Sequence, residues 1–549
     1  MLNNQIINRR FSGSTLVYFI AGLVVLVLAF LVIDNYILTN ESELITEQAM
    51  SPVVEPTEAM DEIVAGDVKP VLHNSVAILP FENLSPNSDD AYVAFGIHQD
   101  LLYILSLVQD MSVIAHNGVF NTDINYINKD IVGELKYPTD MPLADITSEL
   151  NVGTIMKGSV RYADEQIIVD VHLYDASGNN EIWSEKYERD FSEIFAIQTE
   201  IAESITMTLG ANLSEAEKAR IRKPLANSIE AYKLYLKGRV LISHIEATPI
   251  ELSQYLDEAI AVDPDFALVH GFKASAYGLA LVNGSLSNLS SVDKLEKVVV
   301  THTEKALELD PDLCFGHWAQ AMIHYTHGRT EEARQAYERA LQLGPGVIEI
   351  LNGYAHFLSF HEEHDKAISL VERSQELVPT DTSWLVRLAM ILMFAGESDA
   401  AVDIYSEGLK YYQFPWLFRL IGITEYQAGN RDEAIKQLRI AEQKQVEVGR
   451  APDPYTVYAY SILGLKEEAT RLANELEANY AKRKHVNATN AILINLVLGK
   501  VDQAYDVLSK NLNWGVSRNL QYIKINFMND PVLDEPRFVE LRNRIGALD

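Results

Sequence analysis

Residues 328–333 read Gly-Arg-Thr-Glu-Glu-Ala, and the outer two letters of that hexamer return down the chain. The same Gly-to-Ala spacing occurs at Gly396/Ala401, Gly429/Ala434, Gly464/Ala469 and Gly499/Ala504, with Glu362/Ala367 filling the gap after Gly328/Ala333. Successive alanines are 34, 34, 33, 35 and 35 residues apart, and Pro311, Pro345 and Pro379 keep a 34-residue step in phase with them. The chemistry of this spacing is steric. Glycine ends one helix in left-handed geometry. The alanine lets a second helix approach the first closely, and proline ends that second helix.

A helix-turn-helix unit of about 34 residues is the mark of the tetratricopeptide repeat. One such unit cannot bury its apolar face alone, so neighbours stack into a superhelix with a concave groove. The first unit spans 228–264 and ends in Asp263-Pro264; the second ends in Asp310-Pro311. The 47 residues between those prolines exceed one repeat, a surplus that fits a Ser- and Asn-rich loop at 283–292 and a longer helix. Six further units carry the Gly/Ala markers, giving about eight over 228–518, and residues 519–549 read as capping helices.

In the tetratricopeptide pattern the groove is lined by the first helix of each unit. Carried over by position, that surface comprises Trp318, Met322 and Tyr325; Asn352, His356 and Phe360; Val386, Met390 and Met393; and Arg419, Ile423 and Tyr426. It is apolar and aromatic with two polar handles, which suits a peptide or helical protein segment. The competing reading packs many of these side chains between helices.

Outside the array the chain divides further. Arg9 and Arg10 precede an uncharged run from Thr15 to Ile33, long enough to span a bilayer and without a small-residue cleavage pattern. Residues 15–38 are therefore expected to be one transmembrane helix, with residues 1–14 cytoplasmic by the positive-inside rule. Everything after it is then expected in the periplasm of a bacterial inner-membrane protein. Residues 39–72, acidic and bearing Pro52, Pro56 and Pro70, read as a disordered tether.

Residues 73–212 read as a small α/β domain. Strands are expected at Ser75–Pro80, Met111–Ala115, Thr154–Tyr162, Gln166–Tyr174 and Glu181–Tyr187, with a hairpin turn at Ala163–Glu165. Helices are expected at Ala91–Val108, capped from Ser88–Asp90, at Pro142–Leu150 and at Phe191–Leu209. Ser214-x-x-Glu217 is a capping box opening a connecting helix over 213–227. The blocks SVAILPFENLSP (75–86), MKGSVRY (156–162) and DFSEIFAIQTEIA (190–202) resemble the TolB amino-terminal-like domain. That resemblance implies a module found before tetratricopeptide arrays in bacterial regulators whose output is a winged helix or nucleotide cyclase. No such output is read in this sequence, so neither activity carries over; residues 121–141 look like an insertion.

The net charge of −32 argues against nucleic acid as a partner. The single cysteine, Cys314, permits no internal disulfide and falls where a helix should pack. No cofactor or catalytic constellation is read. Asp164 and Glu165 look like solvated turn carboxylates, and Trp183 like a core residue. Six histidines fall between His317 and His364, namely His317, His324, His327, His356, His361 and His364. Zinc needs three or four converging ligands, and histidines capping helices explain the pattern without metal. The expectation is a non-enzymatic, membrane-anchored scaffold that binds a protein segment. The alternatives are the sensory subunit of a split signalling system with its output on another chain and, lower, a zinc-dependent enzyme.

Overall fold

The computed structural model describes residues 74–115, 142–178, 180–243, 249–283, 292–379, 381–447, 449–482, 488–510 and 535–544. The expected membrane helix at 15–38, the tail and tether flanking it, the 121–141 insertion and most of the 519–549 cap lie outside these residues. Among the described residues no helix is long and apolar enough to cross a membrane.

The first elements are β1 (Ser75–Ile78), β2 (Glu82–Asn83), α1 (Ala91–Ser106), β3 (Ser112–Ala115), α2 (Leu143–Leu150), β4 (Thr154–Ala163), β5 (Gln166–Asp175), β6 (Glu181–Asp190), α3 (Ile194–Thr208) and α4 (Glu215–Arg222). The sheet runs β3-β1-β4-β5-β6, with β2 also pairing β4. β1 is parallel to both its neighbours, whereas β4, β5 and β6 form an antiparallel meander. Alternation along β5 decides which face is buried. Ile167, Val169, Val171 and Leu173 are fully enclosed and pack beneath α1 and α3. On the other face, α2 covers only the parallel end, placing Ile146 and Leu150 against Ala77, Ile114 and Ile155.

Local chemistry explains most boundaries. Asp164 and Glu165 take φ of 52° and 59°, the left-handed pair that a two-residue hairpin requires. Ser214 accepts from the Glu217 amide while Glu217 reaches back to the Ser214 amide, completing the capping box of α4. Three details differ from the sequence reading. β2 was not foreseen, because two residues are too short for a pattern. β6 runs on to Asp190. No side chain caps α1, since Ser88–Asp90 is itself a 3-10 turn feeding the helix.

Among the described residues eight helix pairs follow, which are α5 (Ile229–Ser243) with α6 (Pro249–Val262), α7 (Ala267–Asn283) with α8 (Val292–Leu309), α9 (Cys314–Thr326) with α10 (Thr330–Leu343), and α11 (Ile348–Ser359) with α12 (His364–Leu377). The remaining four are α13 (Ser383–Ala395) with α14 (Ser398–Gly408), α15 (Pro415–Gln427) with α16 (Arg431–Glu447), α17 (Pro454–Ile462) with α18 (Lys466–Tyr480), and α19 (Ala488–Val497) with α20 (Val501–Lys510). A last described helix is α21 (Pro536–Arg544). Gly328, Gly396, Gly429, Gly464 and Gly499 all have φ between 68° and 88°, and Glu362 occupies the same geometry at 59°. Each marker alanine, from Ala333 to Ala504, is completely buried between its helices.

The α/β domain packs directly on the array. The Asp100 carboxylate of α1, wholly enclosed, accepts from the Tyr232 hydroxyl at 2.5 Å, Gln198 Nε2 at 3.2 Å and the Tyr235 hydroxyl at 3.4 Å. These donors come from α5 and α3, and Arg239 of α5 supplies a nearby positive charge. Gly96 lets α1 approach α5, since a Cβ there would lie 2.5 Å from a Leu236 methyl. Further along, Tyr103 stacks on Phe315, the Gly346 amide donates to the Ser106 carbonyl, and Arg373 Nη2 donates to Ser112 Oγ. Glu165 is not merely solvated: both its oxygens accept from Lys233 Nζ of α5 at 2.8 Å.

Candidate functional site

The twelve groove positions divide evenly. Trp318, Met322, Tyr325, Phe360, Met393 and Ile423 are buried between helices and do not line an open surface. Small residues on the next helix draw these large side chains inward: a Cβ on Gly353 of α11 would lie 2.7 Å from Trp318 Nε1. Asn352, His356, Val386, Met390, Arg419 and Tyr426 are half-buried.

Four of the half-buried residues meet in one place. Asn352 and His356 from α11, and Val386 and Met390 from α13, line a cavity of about 290 Å³ spanning the fourth to sixth units. Its other wall comes from the linker into α15, where Tyr412 stacks on Phe414 and Phe414 on Trp416. Trp416 is 39 % exposed at the rim. The groove pattern missed this wall, because it counts only first-helix positions. The signal was the aromatic run Tyr411-Tyr412-Gln413-Phe414-Pro415-Trp416.

The cavity's charge comes from a residue the pattern also passed over. Arg387 is the only charged side chain in α13, and its guanidinium lines the cavity. Among the described residues it makes one hydrogen bond, Nη1 to Ser383 Oγ at 2.6 Å, and no carboxylate lines the cavity. Ser383 Oγ in turn donates to Asp381 Oδ2 at 2.7 Å, so a hydroxyl bridges Arg387 to Asp381. Burial pulls the guanidinium below its usual pKa range, with Asp381 and then Tyr412 opposing. A guanidinium carries five donors. Asn352 Oδ1 is buried without a hydrogen-bond partner among the described residues. The arrangement is thus a cation and a carboxamide at the end of an apolar, aromatic slot.

Arg419, the other expected handle, is committed elsewhere. It pairs with Asp453 of the next unit and lies 4.8 Å from the Tyr455 ring centroid. Tyr426 packs at the margin of the core formed by the sixth to eighth units.

The histidines do not gather. His327 Nδ1 and His361 Nδ1 each contact the carbonyl four residues back, Ile323 O at 2.7 Å and Phe357 O at 2.8 Å, closing the first helix of adjacent units. His317 Nε2 contacts Pro311 O at 2.8 Å, as His270 Nε2 contacts Pro264 O one unit earlier. Among the described residues no three His, Cys, Asp or Glu side chains converge to hold a metal. Cys314 is buried, and desolvation pushes its thiol up to about 12, with Tyr103 Oη 3.8 Å from Sγ. Trp183 is half-buried against the α/β core.

Residues 314–347, the third unit, match the tetratricopeptide repeat family. That unit is a tetratricopeptide repeat, and the other helix pairs that carry the markers share its left-handed turn and buried alanine. A putative adenylate cyclase 3 from Rhizobium meliloti (strain 1021) is 28 % identical over 265 residues, 48 % of this chain and 42 % of that protein. The chain therefore spans less than half the length of that relative. Similar solved structures include YrrB, a tetratricopeptide protein with an unusual peptide-binding site (22 % identity, 38 % of this chain, 97 % of that chain, TM-score 0.26). The pilus biogenesis factor PilW is another (19 % identity, 42 % of this chain, 98 % of that chain, TM-score 0.32). The Cut9–Hcn1 assembly is a third (17 %, 64 % and 63 %, TM-score 0.36).

Proposed function

We propose that this chain is a non-enzymatic interaction scaffold whose repeat array captures a segment of another protein through a carboxylate and an adjacent apolar side chain. The observation that carries the reading is Arg387, a cation in a cavity without lining acids, with one of its donors used. A carboxylate matches the planar fork of a guanidinium. The slot between Met390 and the Tyr412–Phe414–Trp416 ladder takes the apolar neighbour, and Asn352 receives a backbone N–H. In this reading residues 15–38 anchor the chain in a bacterial inner membrane, the array lies in the periplasm, and residues 73–212 are a TolB amino-terminal-like module.

The test is crosslinking in the native membrane from a photoreactive residue at position 416, followed by identification of the captured segment. That segment, as a synthetic peptide, should bind wild type and lose roughly ten- to a hundredfold in affinity to Arg387→Gln, the worth of a charge-assisted hydrogen bond. Equal affinity for both proteins rejects the reading. The cyclase-named relative, which extends well beyond the matched share, motivates a second reading: a sensory subunit whose output is on another chain. Under that reading, deleting residues 1–38 silences a downstream response, whereas swapping the anchor for an unrelated one preserves it.

A further inference from the structure

We infer that a second ligand site lies where the α/β domain meets the array, and that it takes a small monocarboxylate with an apolar body. A cavity of about 290 Å³ is enclosed there by α1, by the end of α4 with the linker after it, and by the turns joining the first three units. It is independent of the Arg387 pocket, sharing no lining residue with it.

The charges around it are committed except one. Lys223 Nζ holds Asp310 Oδ2 at 2.9 Å. Asp265 is held by Lys305 at 3.3 Å and Asp312 by Arg339 at 2.5 Å. Arg220, in the last turn of α4, has no ion pair among the described residues, and its Nε is buried without an acceptor. The acid one turn before it, Glu217, is occupied by the Ser214 amide and hydroxyl and by the Gln109 amide. An oxygen from a ligand would supply what Arg220 lacks.

Three features narrow the class. The side chains of Asp265 and Asp312 are 66 % and 51 % exposed, which places negative charge at the mouth and disfavours a dianion such as phosphate. A single carboxylate fits the guanidinium fork with less repulsion. The rest of the wall is apolar, with Ile104, Leu107, Leu225 and Leu268, and the volume is at the small end for ligand sites, near 300 Å³. A compound of a few heavy atoms fits, whereas a peptide does not. Because the wall is shared by domain, linker and array, an occupant would brace the joint between them.

The experiment is calorimetry and thermal unfolding of the detergent-solubilised full chain with isovalerate, leucine, isoamylamine and inorganic phosphate. Saturable one-to-one binding of isovalerate or leucine, with a raised unfolding midpoint and no response to isoamylamine or phosphate, is expected. Binding of leucine alone assigns the ammonium to the rim aspartates; binding of isovalerate shows that no amine is needed. Arg220→Gln should weaken binding at least tenfold and Arg220→Lys by less, while Arg387→Gln leaves it unchanged. Since Arg220 makes no ion pair among the described residues, the unliganded midpoint of Arg220→Gln should match or exceed that of wild type. Failure of both carboxylates to bind, phosphate binding as tightly, or full affinity in Arg220→Gln overturns the inference.

Discussion

Replacing Asp100 by Asn should erase a pH dependence in the joint between the α/β domain and the array. Burial, opposed by Arg239 and by the hydrogen bonds of Tyr232, Gln198 and Tyr235, lifts the Asp100 carboxyl from 3.8 to about 6. The folded state therefore binds the proton more tightly than the unfolded chain, so stability falls as pH rises from about 4 to about 6 and levels off above. Charging the group in place costs about 3 kcal/mol in full, at about 1.4 kcal/mol per pH unit. The sequence pI of 4.8 makes pH 5 a practical lower limit. At pH 5 roughly half of that stabilisation is present, about 1.4 kcal/mol, and at pH 7.5 almost none. The assay is amide hydrogen exchange over residues 229–243, comparing wild type with Asp100→Asn at each pH so that intrinsic exchange cancels. The protection ratio of wild type to variant should be about tenfold higher at pH 5 than at pH 7.5. A ratio that stays constant within twofold refutes the assignment of Asp100 as a charged, buried strut of this joint.

Other substitutions test the array itself. Ala401→Arg, at a completely buried contact between α13 and α14, forces a long cation into the helix pair and should cost at least about 3 kcal/mol, lowering the thermal midpoint. Arg419→Glu sets like charges face to face with Asp453, the two side chains being only 12 % and 21 % exposed. A loss of about 3–5 kcal/mol at the contact between the sixth and seventh units is expected, read as faster exchange in α15 and α17. Any loss of partner capture in that variant would then be indirect. Cys314, with its thiol pushed up to about 12, should resist alkylation at pH 8 in the native protein and react at once in denaturant; rapid native labelling would show that α1 does not stay seated on α9.

The repeats were legible because their requirements are local. A left-handed turn, a small residue five positions on and a proline after the second helix are satisfied within one unit. Glu362 shows that the position, rather than glycine itself, is what recurs: it adopts φ of 59° where its neighbours use Gly. The groove was half legible. Spacing finds the first-helix face but cannot say how deep a neighbouring helix sinks, and Gly353 lets it sink onto Trp318. Arg387 was visible as a lone charge in an apolar helix, yet its meaning depends on Asp381 being screened by Ser383. The joint between domain and array was illegible, because it depends on pairs such as Asp100 and Tyr232, 132 residues apart, that no periodicity connects.

The charge balance sharpens the case for both proposed pockets. With 77 acidic and 45 basic residues, nearly every cation in this chain has acids to choose from, and the described lysines and arginines mostly take them. On the surface an arginine without a carboxylate is solvated by water and signifies little. Inside a cavity it has given up part of its water and formed no direct ion pair among the described residues, a cost that folding alone does not explain. Arg387 and Arg220 are in that position at two separate places, one among the fourth to sixth units and one where the α/β domain covers the first three. If the array were only a rigid spacer, exchanging either for Gln would relieve that cost and change nothing but stability. A carboxylate ligand at each makes the opposite demand, and the two substitutions should then separate: Arg387→Gln should weaken capture of a protein segment by roughly ten- to a hundredfold while sparing the small carboxylate, and Arg220→Gln should do the reverse.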